Sequence, residues 1–257
     1  MKKKVNKEAI VIGLVIIFIV LFQVSNTSYS ISNNSNSIKL VNKILDNNTI
    51  YNKDDNIEDG LLLDDEYYFK GNVNNNYVSL NNELWRIVSL KDNYIKIIKE
   101  EGINNNKLYK YSDDYNDGDY LSSNVFNELN LWYEDKLLKY DDKIINYDYC
   151  VVFKNDECTE SRMFKIGILN YNDVVKVGGI KNINNDTYYL FNNNEWWILN
   201  SSYDVLIGSY FSSYVNNLGS IEDGFVDEEK TIRPVIVLSN ITYKTGDGTI
   251  DNPYVIE

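Results

Sequence analysis

Cys150 and Cys158 are the two cysteines of a 257-residue chain that contains no histidine, and together these facts bound its chemistry. Without imidazole there is no Ser-His-Asp or Cys-His machinery, no His-ligated zinc and no side chain that titrates unperturbed near neutrality. The cysteines lie in YCVVFKNDEC, where a predicted strand (Tyr149 to Phe153) meets a polar turn (Lys154 to Glu157). In an oxidising compartment they are expected to close a small loop as a disulfide. Two free thiols are the alternative, as is a two-thiolate metal site that lacks half of a zinc shell.

Trp196 and Trp197 fall in a predicted strand, so their rings point to opposite faces; both suit a core, while an exposed one would stack on a sugar ring. Arg233 precedes Pro234 and the apolar run Val235 to Leu238. An arginine at the mouth of a buried strand is usually a fork on carboxylates or carbonyls, and the other reading is an anion clamp. The same pair of readings applies to Arg86. The loop DDYNDGD offers Asp113, Asp117 and Asp119 to a calcium ion, the candidate cofactor. It departs from the EF-hand template, since Tyr115 takes the third position and Asn124 the twelfth. GDGTID (Gly246 to Asp251) reads as a second oxygen-rich turn or simply a Gly-rich one. Asp64 to Glu66 and Asp227 to Glu229 can be drawn as acid/base pairs for glycoside hydrolysis, but with 38 acidic residues such clusters arise by chance.

The elements that position these residues read mainly as short strands. Tyr67 to Lys70, Tyr77 to Leu80, Glu83 to Leu90 and Tyr94 to Lys99 are aromatic and β-branched runs separated by turn residues. Asn81-Asn82 suits a two-residue hairpin, because Asn tolerates positive φ. The four runs predict an antiparallel meander. A polar loop over residues 100 to 120 precedes a helix predicted over Ser122 to Lys143, capped by Ser122 or Ser123, with Val125, Leu129, Trp132, Leu137 and Leu138 as its apolar stripe. Asn172 to Val177 predicts a short helix stopped by Gly178-Gly179. The remaining runs read as strands: Ile166 to Leu169, Tyr188 to Phe191, Glu195 to Leu199, Val205 to Ile207, Phe211 to Val215, Gly224 to Val226, Ile232 to Leu238 and Tyr254 to Ile256. The fold class is α+β, a mostly antiparallel twisted sheet with flanking helices.

The chain carries −13 overall. Its first eight residues, MKKKVNKE, hold four lysines against one glutamate, +3, which leaves −16 for the rest. Behind them Ala9 to Val24 is apolar except for Gln23 and long enough, with local thinning, to embed in a bilayer. The division expected is a cytoplasmic basic tail (1–8), a transmembrane helix or signal anchor (9–24), an Asn/Ser-rich spacer with a short amphipathic helix near 37–46 (25–64), and an extracellular α+β domain (65–257). A cleaved secretory signal is the competing reading of residues 9–24. An acidic ectodomain is repelled by phosphate polymers, so nucleic acid is not an expected partner.

Three stretches in order, Tyr67 to Ile98 (YYFKGNVNNNYVSLNNELWRIVSLKDNYIKII), Asn194 to Ser201 (NEWWILNS) and Thr231 to Tyr254 (TIRPVIVLSN, then GDGTIDNPY), resemble an uncharacterised domain of bacterial envelope proteins with WWLRS, VRPAL and GDGTxxNPY signatures. The resemblance spans nearly all of the predicted ectodomain. It implies a fold akin to the formylglycine-generating-enzyme and C-type-lectin-like group, in which a twisted sheet carries long loops. Asn200 stands where that domain usually has Arg. The paired cysteines used for copper and thiol chemistry by oxidase members of the broader group are missing, so no catalytic residue carries over. The function expected is a membrane-anchored extracellular binding or adhesion module without catalytic activity, its partner a glycan or another envelope protein, with Trp196, Trp197 and Arg233 as candidate ligand contacts. An assembly subunit of an envelope complex and a carboxylate-based glycosidase are the alternatives.

Overall fold

The computed structural model describes residues 38–154 and 157–256. The basic tail, the apolar segment 9–24 and residues 25–37 of the spacer lie outside the described residues. Among the described residues no helix is long and apolar enough to cross a membrane.

The fold is mixed α+β and mostly β. A nine-stranded sheet is built on β5 (Glu83–Lys91), β6 (Tyr94–Lys99) and β16 (Val235–Ser239), which pair antiparallel in that order. Their Trp85, Ile87, Ile95, Ile97, Ile98 and Val235 to Leu238 are buried. Such near-continuous apolar runs mark strands covered on both faces. The helices α1 (Leu40–Asn47) and α2 (Asn124–Lys136) contribute Leu40, Val41, Ile44, Val125, Leu129 and Trp132 to the same core. Ser123 caps α2 by accepting from the Phe126 amide. Asn170 and Asp173 form a reciprocal capping box on α3 (Tyr171–Val177).

The expected antiparallel meander is kept from the second run to the fourth, while the first run pairs with the third instead of the second. Both β3 (Tyr67–Lys70) and β4 (Tyr77–Leu80) pair with β5, β4 against residues 83–86 and β3 against residues 89–90. Asn81 and Asn82 adopt φ of 57° and 59°, as a tight two-residue hairpin between β4 and β5 requires. Three pairings are parallel. They join β1 (Ile50–Asn52) to β2 (Gly60–Leu63), β4 to β17 (Tyr254–Ile256), and β11 (Ile180–Lys181) to β14 (Ser220–Phe225). A separate four-stranded sheet runs β11, β14, β13 (Ser209–Val215), β12 (Trp196–Asp204). Smaller units are the hairpin of β8 (Tyr147–Lys154) with β9 (Glu157–Phe164), and the pair β7 (Tyr109–Lys110) with β15 (Glu229–Lys230). β10 (Ile166–Gly167) completes the large sheet beside β16.

Several expectations are corrected. The folded unit begins at Ile38 rather than near Asp65, because α1 and β2 bury Leu40, Val41, Ile44, Leu61 and Leu62. The second helix stops at Lys136 and continues only as a 3-10 turn over Leu138–Tyr140, leaving Leu138 exposed. Tyr188 to Phe191 is a buried turn, and Val205 to Ile207 is a hairpin tip. β9 was not foreseen, since its residues are polar and mostly exposed and lack a period-two apolar face.

Candidate functional site

The β12–β13 hairpin is anchored at its root and free at its tip. Trp196 to Leu199 are buried, and a register shift between Trp197 and Ser201 releases the strand toward solvent. Trp197 donates from Nε1 to the Tyr109 carbonyl at 2.8 Å, and its ring meets Tyr111 and Tyr214 edge-on. The Trp196 ring lies on another side, 4.9 Å from the Arg233 guanidinium. Arg233 is fully buried; Nε donates to the Lys99 carbonyl at 2.9 Å and Nη1 to the Leu190 carbonyl at 2.6 Å. Glu100 stands 3.7 Å from its Nη2. Trp196, Trp197 and Arg233 therefore form the root that holds the hairpin, and none presents a surface to a ligand. Arg86 is also buried and donates from Nη2 to the Val73 carbonyl at 2.7 Å, with its guanidinium 3.8 Å from the Tyr77 ring centre.

Beyond the root, Ser201, Ser202 and Tyr203 emerge from the sheet. Tyr203 pairs across the hairpin with Tyr210, their ring centres 4.9 Å apart. Tyr210 lies flat against Gly118, where an added Cβ would come within 2.2 Å of the ring. The Tyr210 amide donates to the Tyr115 carbonyl at 2.9 Å. The loop Asp113 to Asp119 is thereby docked on the start of β13, and its glycine makes room for a ring.

The three carboxylates proposed for calcium are turned to local donors. Asp117 accepts from the Asp119 amide and the Ser122 hydroxyl, and Asp119 accepts from the Leu121 amide. Asp113 faces Lys110 and Asn124. At Asp117 and Asp119 these are Asx turns, in which the side chain serves the nearby backbone. Among the described residues no group of three Asp, Glu, Cys or His side chains is placed to hold a metal ion.

Opposite Tyr203 stands the β8–β9 hairpin, closed by the Cys150–Cys158 disulfide. Between the two hairpins opens a groove of about 440 Å³, walled by Val151 to Lys154 on one side and Ser201, Ser202, Tyr203 and Tyr210 on the other, with Gly118 and Asp119 in its lining. It offers the rings of Phe153, Tyr203 and Tyr210, two serine hydroxyls, one carboxylate and one ammonium group. On the far side of Tyr203 a second cleft of about 510 Å³ runs from Ser202 to Ile207, with Phe211 and Asp223. Tyr203 is the partition between them, 48% exposed.

A third cavity, about 270 Å³, lies beside the disulfide and contains Lys96, Asp173, Glu66 and Asp148. Lys96 is buried, which opposes its charge, but Asp173 first, then Tyr147 and Glu66, more than offset this and hold the ammonium above its ordinary pKa. Glu66 pairs with Lys176 at 3.3 Å. Lys96, Asp173 and Glu66 are thus matched within the protein, while Asp148 is exposed to solvent.

The groove residues Phe153, Tyr203 and Tyr210 were not singled out by sequence reasoning. The usable signal was D-V-L-I-G (Asp204 to Gly208), whose ends are turn formers flanking a run too short to cross a sheet. Tyr203 and Tyr210 each lie two residues from the four-residue turn Val205 to Gly208, which implies a cross-strand pair.

Comparison of the chain with protein-family models, with curated proteins and with solved structures gave no match.

Proposed function

We propose that this protein is an extracellular binding module, tethered to a bacterial membrane by Ala9 to Val24, and that the groove between the two hairpins receives an uncharged glycan. The observation that carries this reading is the ring-lined wall, in which Tyr203 and Tyr210, tilted against each other with ring centres 4.9 Å apart, line an open groove together with Phe153. Aromatic faces pack on the C–H faces of pyranose rings, and a few polar groups at the edge take up their hydroxyls. Asp119, Ser201 and Ser202 are placed for that. A single carboxylate lines the groove, whereas glycoside hydrolysis uses two facing each other, so binding without cleavage is favoured. The net charge of −13 disfavours anionic polymers.

The test is a glycan and cell-wall binding screen of residues 38–257 beside the Tyr203→Ala variant. Retention on an uncharged glycan that the variant loses supports the proposal. Failure to bind any glycan, with a second envelope protein copurifying, would replace it with the assembly-subunit reading.

A further inference from the structure

Val205, Leu206 and Ile207 form the tip of the β12–β13 hairpin with 79%, 93% and 59% of their surface exposed. Other exposed aliphatic side chains among the described residues stand singly, which is ordinary; three in a row at a projecting turn are not. The tip is also held outward. Asp204 accepts from the amides of Leu206 and Ile207 at 2.8 and 3.2 Å, and the Gly208 amide donates to the Asp204 carbonyl at 2.8 Å. Gly208 takes φ of 74°, which closes the turn. The turn backbone is thereby fixed with the three side chains exposed.

We infer that this tip is a finger that dips into the outer leaflet of the membrane to which the chain is tethered, an inference that rests on the tether of the proposed function. An exposed apolar turn needs no shaped receptor if its receiving medium is fluid hydrocarbon. Directly behind it stands Tyr203, half exposed and amphipathic, a residue type that prefers the headgroup level. The nearest carboxylate, Asp204, is turned onto backbone amides and brings no lysine or arginine with it, so the contact favours uncharged headgroups over anionic ones. Reach permits it. The spacer Ser25 to Ser37 spans at most about 45 Å when extended, comparable with the width of a folded unit of about 220 residues. Insertion of three side chains is weak on its own, and confinement near the bilayer is what makes it populated. The glycan groove then lies at headgroup height, where it would meet sugars carried on the membrane.

The test uses the full chain with Leu206→Trp, reconstituted into phosphatidylcholine vesicles with and without bromine on the acyl chains. The four native tryptophans, Trp85, Trp132, Trp196 and Trp197, are buried, so the new one reports the tip. The expected result is a blue-shifted emission and bromine quenching that the unsubstituted chain lacks, both weakened as anionic lipid replaces phosphatidylcholine. If the chain floats with vesicles but the tip tryptophan keeps its aqueous emission, the finger is overturned and the tether stands. If the chain does not float at all, the tether reading falls and the finger with it. A blue shift that needs protein concentration and no lipid would make the tip a contact between copies and overturn the proposal.

Discussion

Lys96 and Asp173 are 77 residues apart in sequence and meet ammonium to carboxylate at 3.3 Å, with the Tyr147 ring centre 4.8 Å from the same nitrogen. The pair fastens the central sheet to the N-terminus of α3. Because the Lys96 pKa is raised in the folded state, its contribution is complete below the unfolded lysine value of about 10.4 and is lost as pH climbs through the folded one. Lys96→Met should cost about 3 to 5 kcal/mol at neutral pH, the scale for removing one member of a buried pair. Its urea midpoint should also fall less steeply than that of the parent above about pH 10.4. Parallel alkaline profiles for the two proteins would refute this.

Tyr111, Tyr120, Tyr149, Tyr188 and Tyr189 are buried, and desolvation raises the pKa of each. The unfolded chain ionises its tyrosines near pH 10 while these stay protonated in the native state, so stability declines above that pH. Tyrosinate absorbance should appear in two phases, the exposed residues first and the buried ones together with loss of near-ultraviolet circular dichroism. One smooth titration of all 22 tyrosines with the native spectrum retained would count against the burial described.

The Cys150–Cys158 bridge closes a loop with a sequence separation of 8, for which chain-entropy arguments give about 2.5 kcal/mol. Most of that should be felt locally, since β8 and β9 form their own two-stranded sheet. In the Cys150→Ser, Cys158→Ser double variant, amide exchange in β8 and β9 should accelerate while β5 and β16 keep their protection. Equal acceleration everywhere would show that the hairpin is not a separate unit.

Arg233→Lys keeps the charge but not the planar fork that serves the Lys99 and Leu190 carbonyls at once. At a site with no solvent exposure the loss should be about 2 to 4 kcal/mol. Denaturant titration checks it, and an unchanged midpoint would mean the fork is dispensable.

Gly118→Ala separates two accounts of the acidic loop. The added methyl would collide with Tyr210, so the variant should displace that ring and weaken ligand retention. Neither calcium nor a chelator should shift the melting temperature of the parent. A calcium-dependent rise would revive the cation reading of Asp113, Asp117 and Asp119.

Much of the sheet was legible because its strands are bounded by local signals. Tyr67–Lys70, Tyr77–Leu80, Tyr94–Lys99 and Tyr254–Ile256 match their predicted limits, each being a short aromatic or β-branched run between turn formers. Pairing order was not legible. Whether β3 or β4 lies beside a given part of β5 depends on contacts that leave no periodic trace. The groove was hidden for a related reason, since Tyr203 and Phe153 belong to different hairpins and meet only in three dimensions. Conversely, Trp196 and Trp197 drew attention as rare aromatic residues, yet size and apolarity drive such side chains inward before any ligand can use them.

The parallel pairing of β4 with β17 joins Val78 to Tyr254, and the Tyr254 hydroxyl accepts from Asn47 across 207 residues of sequence. A chain made from its N-terminus cannot complete this seam until residues 254–256 have left the ribosome. Nascent polypeptides halted short of that point would hold β4 with one flank unsatisfied, a state open to chaperones and proteases. The large sheet is therefore expected to close only once this last strand of the domain is available to pair.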